Sequence, residues 1–176
     1  ILAGFEQAYH ARVVVDTFSS NEELLAKVQT GMTGYDVVVP SDFMAGIMGR
    51  LGLLAELDVQ QIPNTRYLEE VLRHLPFDPE HRFAIPYLWG TVGIGYDSEI
   101  VSETPHSWQA LWNPAYAGRI SMLNDQREVF GLALKTLGYS LNSESKMEIR
   151  QARDLLIKQK PLVKAYTSEQ FDQLLV

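Results

Sequence analysis

Three consecutive valines, Val37–Val39, stand between the turn Gly31-Met-Thr-Gly34 and Pro40. A short β-branched apolar run bounded by turn residues predicts a strand buried on both faces. Pro40 has no amide hydrogen for a ladder and ends the strand. Ser41 is thereby left at its carboxyl end, ahead of the helical-looking run Asp42-Phe-Met-Ala-Gly-Ile-Met48. In open α/β sheets ligands bind in the crevice outside the carboxyl ends of the strands. Ser41 is therefore placed on a candidate ligand wall.

The flanking chain repeats this alternation. Ile1–Tyr9 reads as a helix with Leu2, Phe5 and Tyr9 on one face, and Ala11–Phe18 as a strand. Ser20-Asn-Glu-Glu23 has the capping-box spacing, and Leu24, Leu25 and Val28 give the helix that follows an apolar stripe ending at Gly31. A helix is expected from Asp42 to about Arg50 and another over Arg66–Leu75. Residues 82–90 and 91–96 read as extended chain with glycines at close approaches. Ser107–Trp112 predicts a short helix, Arg119–Leu123 a strand and Asp125 to about Leu137 a helix ended by Gly138. Ser143–Lys160 predicts a helix amphipathic through Met147, Ile149, Ala152, Leu155 and Leu156. Pro161–Tyr166 reads as a strand and Ser168–Leu174 as a last helical turn or two. The β-α-β-α order implies a parallel or mixed sheet with covering helices. Neither an internal repeat nor a low-complexity stretch interrupts it. A uncapped start and a finish inside an apolar run predict part of a longer protein.

The net charge of −7 argues against a nucleic-acid partner. The absence of cysteine excludes disulfides, thiolate metal sites and a cysteine nucleophile. No apolar run approaches the roughly 20 residues of a membrane span. His10, His74, His81 and His106 have no metal-ligand spacing and read as exposed polar residues. Gly90, Gly93 and Gly95 open no helix, which excludes a dinucleotide fingerprint. Nothing in the sequence nominates a base to activate Ser41 as a nucleophile.

Asp125 and Glu128 open a helix just past the strand Arg119–Leu123. They satisfy two readings, a capping box with acids favoured by the helix dipole and a carboxylate pair holding a cation or metal. Phe43 and Trp89 are aromatic candidates for the same site, because ring faces attract ammonium groups and stack on aliphatic chains; core packing is the plainer role for both. A hydrolase using Asp125 and Glu128 is disfavoured, since a three-residue helical spacing puts both groups on one side of a substrate rather than across it.

Several stretches in order carry a resemblance: Ser19-Ser-Asn-Glu22, Gly34–Ser41, Phe83–Tyr96, Ser107–Trp112 and Asn124-Asp-Gln-Arg-Glu-Val-Phe130. Together they resemble the bacterial periplasmic spermidine/putrescine-binding proteins, the receptors of polyamine ABC importers. The resemblance implies an α/β, two-lobed periplasmic-binding-protein-like fold (type II), truncated at both ends. It places residues 1–100 in a first α/β lobe with hinge-side strands and 101–176 in part of a second. It implies capture of a linear polyamine in the cleft between lobes, with no catalysis and no cofactor. The partners implied are the polyamine and a membrane permease, in the periplasm, with no nucleic acid and no direct membrane insertion. Ser41, Phe43, Asp125 and Glu128 match cleft positions of the family, and Trp89 lies in the hinge-side strand. Phe43 stands where spermidine binders usually carry tyrosine. The family's opening strand with its Asn-Trp-x-x-Tyr segment, and the rest of its distal lobe, are not in this chain, so these residues make about half of a site. Another small cation or amine, or a polyamine-sensing module, would fit the same fold.

Overall fold

The computed structural model describes residues 1–31, 34–168 and 173–175. The helices form where their caps are local. In α2 (Asn21–Gln29) the Ser20 hydroxyl accepts from the Glu23 amide at 3.2 Å. The expected box is shifted by one residue, because the Glu23 carboxylate accepts from the amide and hydroxyl of Ser19 at 2.8 and 2.7 Å. Those bonds, with Lys27 at 3.1 Å one turn on, hold the Glu23 carboxyl down to about 2. Gly31, at φ 69°, ends the helix with a left-handed turn that an L side chain adopts only with strain.

The core of the first half is small. Leu24 of α2 packs with Met44 and Met48 of α3 (Asp42–Arg50), all buried, with Phe18, Val38 and Leu54 around them. Each such side chain stabilises the fold by about 1.5–3 kcal/mol through removal from water. The other side of α3 receives two rings. A Cβ at Gly46 would stand 3.1 Å from the Phe77 Cβ, and one at Gly49 3.2 Å from the Phe83 ring. α1 (Leu2–Tyr9) forms as expected and stacks Phe5 on Tyr9 at 4.8 Å, but that apolar face is half exposed.

The valine runs depart from expectation, residues 35–40 from a strand buried on both faces and residues 11–18 from a strand. Residues 11–18 and 35–40 join no ladder among the described residues. Val38 turns into the core while Val37 and Val39 are 81% and 58% exposed, and Val14 is 80% exposed. Burial on both faces needs a neighbour along each edge and a layer over each side; here one side is covered by α2 and α3. The two runs are joined by side chains instead. The Tyr35 hydroxyl bonds the Asp16 carboxylate, and Lys27 reaches Asp16 and the Thr17 carbonyl. Residues 82–96 likewise join no ladder among the described residues.

The helix expected over Arg66–Leu75 is replaced by 3-10 turns at Pro63–Tyr67 and Glu70–Leu72. Its Tyr67 and Val71 are more than 70% exposed. A stretch of this length needs a packed face to be helical, and none receives it. His81 also departs from expectation, being only 7% exposed with φ 52°. It sits in a turn organised by buried Asp78, whose carboxylate accepts from the amides of Arg82, Phe83 and Ala84 at 2.8–2.9 Å.

The second half is a βαβ unit. β1 (Ile120–Met122) lies parallel to β2 (Val163–Tyr166), with Ile120 opposite Val163 and Met122 opposite Tyr166. The crossover is α4 (Gln126–Thr136) and α5 (Lys146–Gln159), packed on each other through Ala133, Leu134 and Ala152. Gly138, at φ 83°, ends α4 where the sequence places it. The stripe of α5 is narrower than expected. Leu155 and Leu156 pack, but Met147 is 61% exposed. Ser107 caps a 3-10 turn over Trp108–Trp112, which seats the Trp112 indole on the Leu155 carbonyl at 3.0 Å. The helix expected over Ser168–Leu174 falls largely on residues outside those described.

Candidate functional site

The amino ends of α2, α3 and α4 meet at one place. Asn21, the first residue of α2, joins them. Its Oδ1 accepts from the Ser41 amide at 3.0 Å, and its Nδ2 donates to the Ser41 hydroxyl at 3.0 Å. The same Nδ2 donates to Asp125 Oδ2 at 3.2 Å, across 104 residues of sequence. The other Asp125 oxygen accepts from the Glu128 amide at 3.0 Å. Asp125 is thus a helix cap and a member of a cross-chain cluster at once. Ser41, by contrast, begins α3 without a side-chain cap bond, so its hydroxyl is committed to this cluster and not to its own helix.

Phe43 lies beside the cluster. The Arg127 guanidinium sits over its ring at 5.6 Å and also donates to the Asn142 carboxamide at 2.6 Å. Glu128 faces a cavity of about 350 Å³ that Trp108, Ile94 and Leu132 also line. Partial burial raises the Glu128 carboxyl above its ordinary range, and the charges of Asp125 and Asp42 raise it further against the opposing pull of Arg127. Helix amino ends by themselves favour anions. Here three carboxylates, Asp42, Asp125 and Glu128, occupy that position, and none forms an ion pair among the described residues. Burial and the two neighbouring carboxylates together disfavour the ionised form of Glu128, and a cation placed among the three would favour it.

Ser41, Phe43, Asp125 and Glu128 therefore come together. Trp89 does not join them: it is 70% exposed on the run 85–96 and makes no polar or ring contact among the described residues. Asn21 was hidden inside the capping-box pattern. Its signal is a polar residue at a first helical position where the preceding serine already supplies the cap. A second groove, about 250 Å³ between α3 and the Phe77–Phe83 turn, contains none of these residues.

The model of the bacterial extracellular solute-binding proteins matches residues 31–173. The chain belongs to that family. Among other solute-binding proteins, it is 36% identical over 171 residues to the spermidine/putrescine-binding periplasmic protein of Salmonella typhimurium, covering 96% of this chain and 49% of the relative. A solved protein from Listeria monocytogenes matches with a TM-score of 0.90 at 37% identity, covering 98% of this chain and 54% of that one. A lipoprotein of Treponema pallidum matches with a TM-score of 0.86 at 37% identity, over 97% and 54%. The chain thus spans about half the length of the solute-binding relatives it matches. The two-lobed α/β binding-protein fold expected from the sequence is the fold of this family, and the βαβ unit and the α2–α3 layer are the parts of it that this chain supplies.

Proposed function

We propose that this chain is the polyamine-capturing part of a solute-binding component of an ABC importer. It takes a linear diamine or triamine, putrescine or spermidine, into the crevice between residues 1–100 and 101–176. The observation that carries the reading is the carboxylate cluster at the joint, where Asp42, Asp125 and Glu128 lie together with no ion-pair partner among the described residues and the Glu128 carboxyl is raised by burial first and then by its acidic neighbours. A ligand ammonium supplies the missing charge, and charge-assisted bonds to carboxylates are roughly twice as strong as neutral ones. Ser41 offers an acceptor lone pair beside them, Phe43 a ring face for an ammonium or methylenes, and Trp89 an exposed ring that stacks on the aliphatic chain once the run 85–96 moves over the crevice. No bond is made or broken, and the protein acts by binding, closing and presenting the ligand to a membrane permease from the periplasm. The names of the relatives support this reading. The net charge of −7 disfavours nucleic acid, and no helix among the described residues is long and apolar enough to cross a membrane.

Calorimetric titration with putrescine, spermidine and 1,4-butanediol tests it. The diol has the same carbon chain without the ammonium groups. Saturable heat with either amine and none with the diol is expected. Equal binding of the diol, or binding of sulfate in preference to amines, overturns the assignment.

A further inference from the structure

We propose that Asn21 is the positioning residue of this crevice, tying its two sides together so that the Ser41 hydroxyl and the Asp125 carboxylate are set before any ligand arrives. Its role toward a ligand rests on the polyamine reading; its role as a tether does not.

The carboxamide is 6% exposed, so its polar atoms have little water to fall back on and are satisfied by protein. Oδ1 is taken by the Ser41 amide, and Nδ2 by the Ser41 hydroxyl and Asp125 Oδ2. None of these bonds serves α2 itself, because Ser20 already caps that helix through the Glu23 amide. A buried polar group with no duty to its own element stabilises whatever it joins. What it joins are the start of α3 and the start of α4, two elements otherwise connected here by the Arg127 guanidinium on the Phe43 ring. By donating to Ser41 Oγ, Asn21 leaves the serine its own proton and a second lone pair. By donating to Asp125 Oδ2, it leaves Oδ1 on the helix amide and turns the carboxylate toward Ser41. A neutral amide thus stands at the carboxylate where an ammonium would bind, and it holds the geometry without cancelling the charge.

The polarity of the tether yields a decisive pair of variants. Asn21→Asp keeps an oxygen for the Ser41 amide, removes both donated bonds and sets a second carboxylate against Asp125. Adding Asp125→Asn reverses the arrangement: the new amide donates to the carboxylate at position 21 while its oxygen accepts from Glu128. The chain has no cysteine, so cysteines introduced at the exposed Gln29 and Arg150 carry the only two spin labels. Pulsed electron resonance on the ligand-free full chain then reads the distance between α2 and α5. Asn21→Asp is expected to lengthen or broaden that distance, and the double variant to restore it. Asn21→Ala, which adds no charge, broadens it and carries the comparison if Asn21→Asp does not fold. An unchanged distance in the single variants, or no restoration in the double variant, overturns the tether. Putrescine titration is the separate arm. At least a tenfold loss of affinity in Asn21→Ala is expected. If the intact chain binds no amine, the polyamine reading fails while the distance measurement still decides the tether.

Discussion

Replacing Asp125 by asparagine separates capping from charge. Asparagine caps a helix about as well as aspartate, so capping alone predicts a change of a few tenths of a kcal/mol. The structure predicts more. Asp125 accepts two bonds on two oxygens, from the Glu128 amide at 3.0 Å and from Asn21 Nδ2 at 3.2 Å. A carboxamide has one oxygen. If it keeps the cap, its NH2 faces the NH2 of Asn21; if it turns over, it faces the Glu128 amide. One bond is lost either way, at about 0.5–1.5 kcal/mol. Loss of the negative charge at the helix start adds about 0.3–1 kcal/mol. The ligand-free protein should therefore lose roughly 1–2.5 kcal/mol in a urea melt with an unchanged slope. Polyamine affinity should fall at least about tenfold, equivalent to about 1.4 kcal/mol, because an ammonium loses its carboxylate. A melt identical to the parent's would refute the two-oxygen reading, and unchanged affinity would return Asp125 to a plain helix cap.

Glu128 predicts a pH dependence. Its carboxyl is raised above 4.5 by burial first and then by Asp125 and Asp42. The folded state therefore keeps this proton where the unfolded chain has lost it, and the stabilisation is lost as pH rises through the raised value. A bound ammonium favours the ionised form, so amine affinity should rise with pH over that same interval; Glu128→Gln should flatten the profile in calorimetric titrations, and an unaltered profile would place the titrating group elsewhere. Met48, fully buried against Leu24 and Met44, should cost about 2–5 kcal/mol on truncation to alanine. A urea melt reads this, and a loss below about 0.5 kcal/mol, typical of surface substitutions, would show that the first core collapses around the gap.

Helices with local instructions were legible. The caps of α2, α4 and α5 lie within three residues of the amides they serve, and Gly31 and Gly138 end helices by their own backbone freedom. The helix starts at Ser41 and Asp125 were legible as candidate ligand walls because such positions follow from α/β topology. What sequence could not carry was partnership. The valine runs have strand character, but a ladder is a property of two segments, and Val37 and Val39 stay exposed without it. Residues 66–75 have helical spacing but no surface to pack on. His81 looks like a surface histidine until the Asp78 turn closes over it. Asn21 is a routine helix-start residue whose partners lie 20 and 104 residues away.

That Asp78 turn has a consequence for motion. Three consecutive amides, Arg82 to Ala84, are held by one buried carboxylate, so they should resist hydrogen exchange although their backbone belongs to no helix or ladder. Phe77 and Phe83 pin the same corner to the glycines of α3. The chain therefore leaves its first half from a rigid post and not from a loose thread. The run 85–96 that follows belongs to no helix or ladder among the described residues, so its amides should exchange faster than those of Arg82, Phe83 and Ala84.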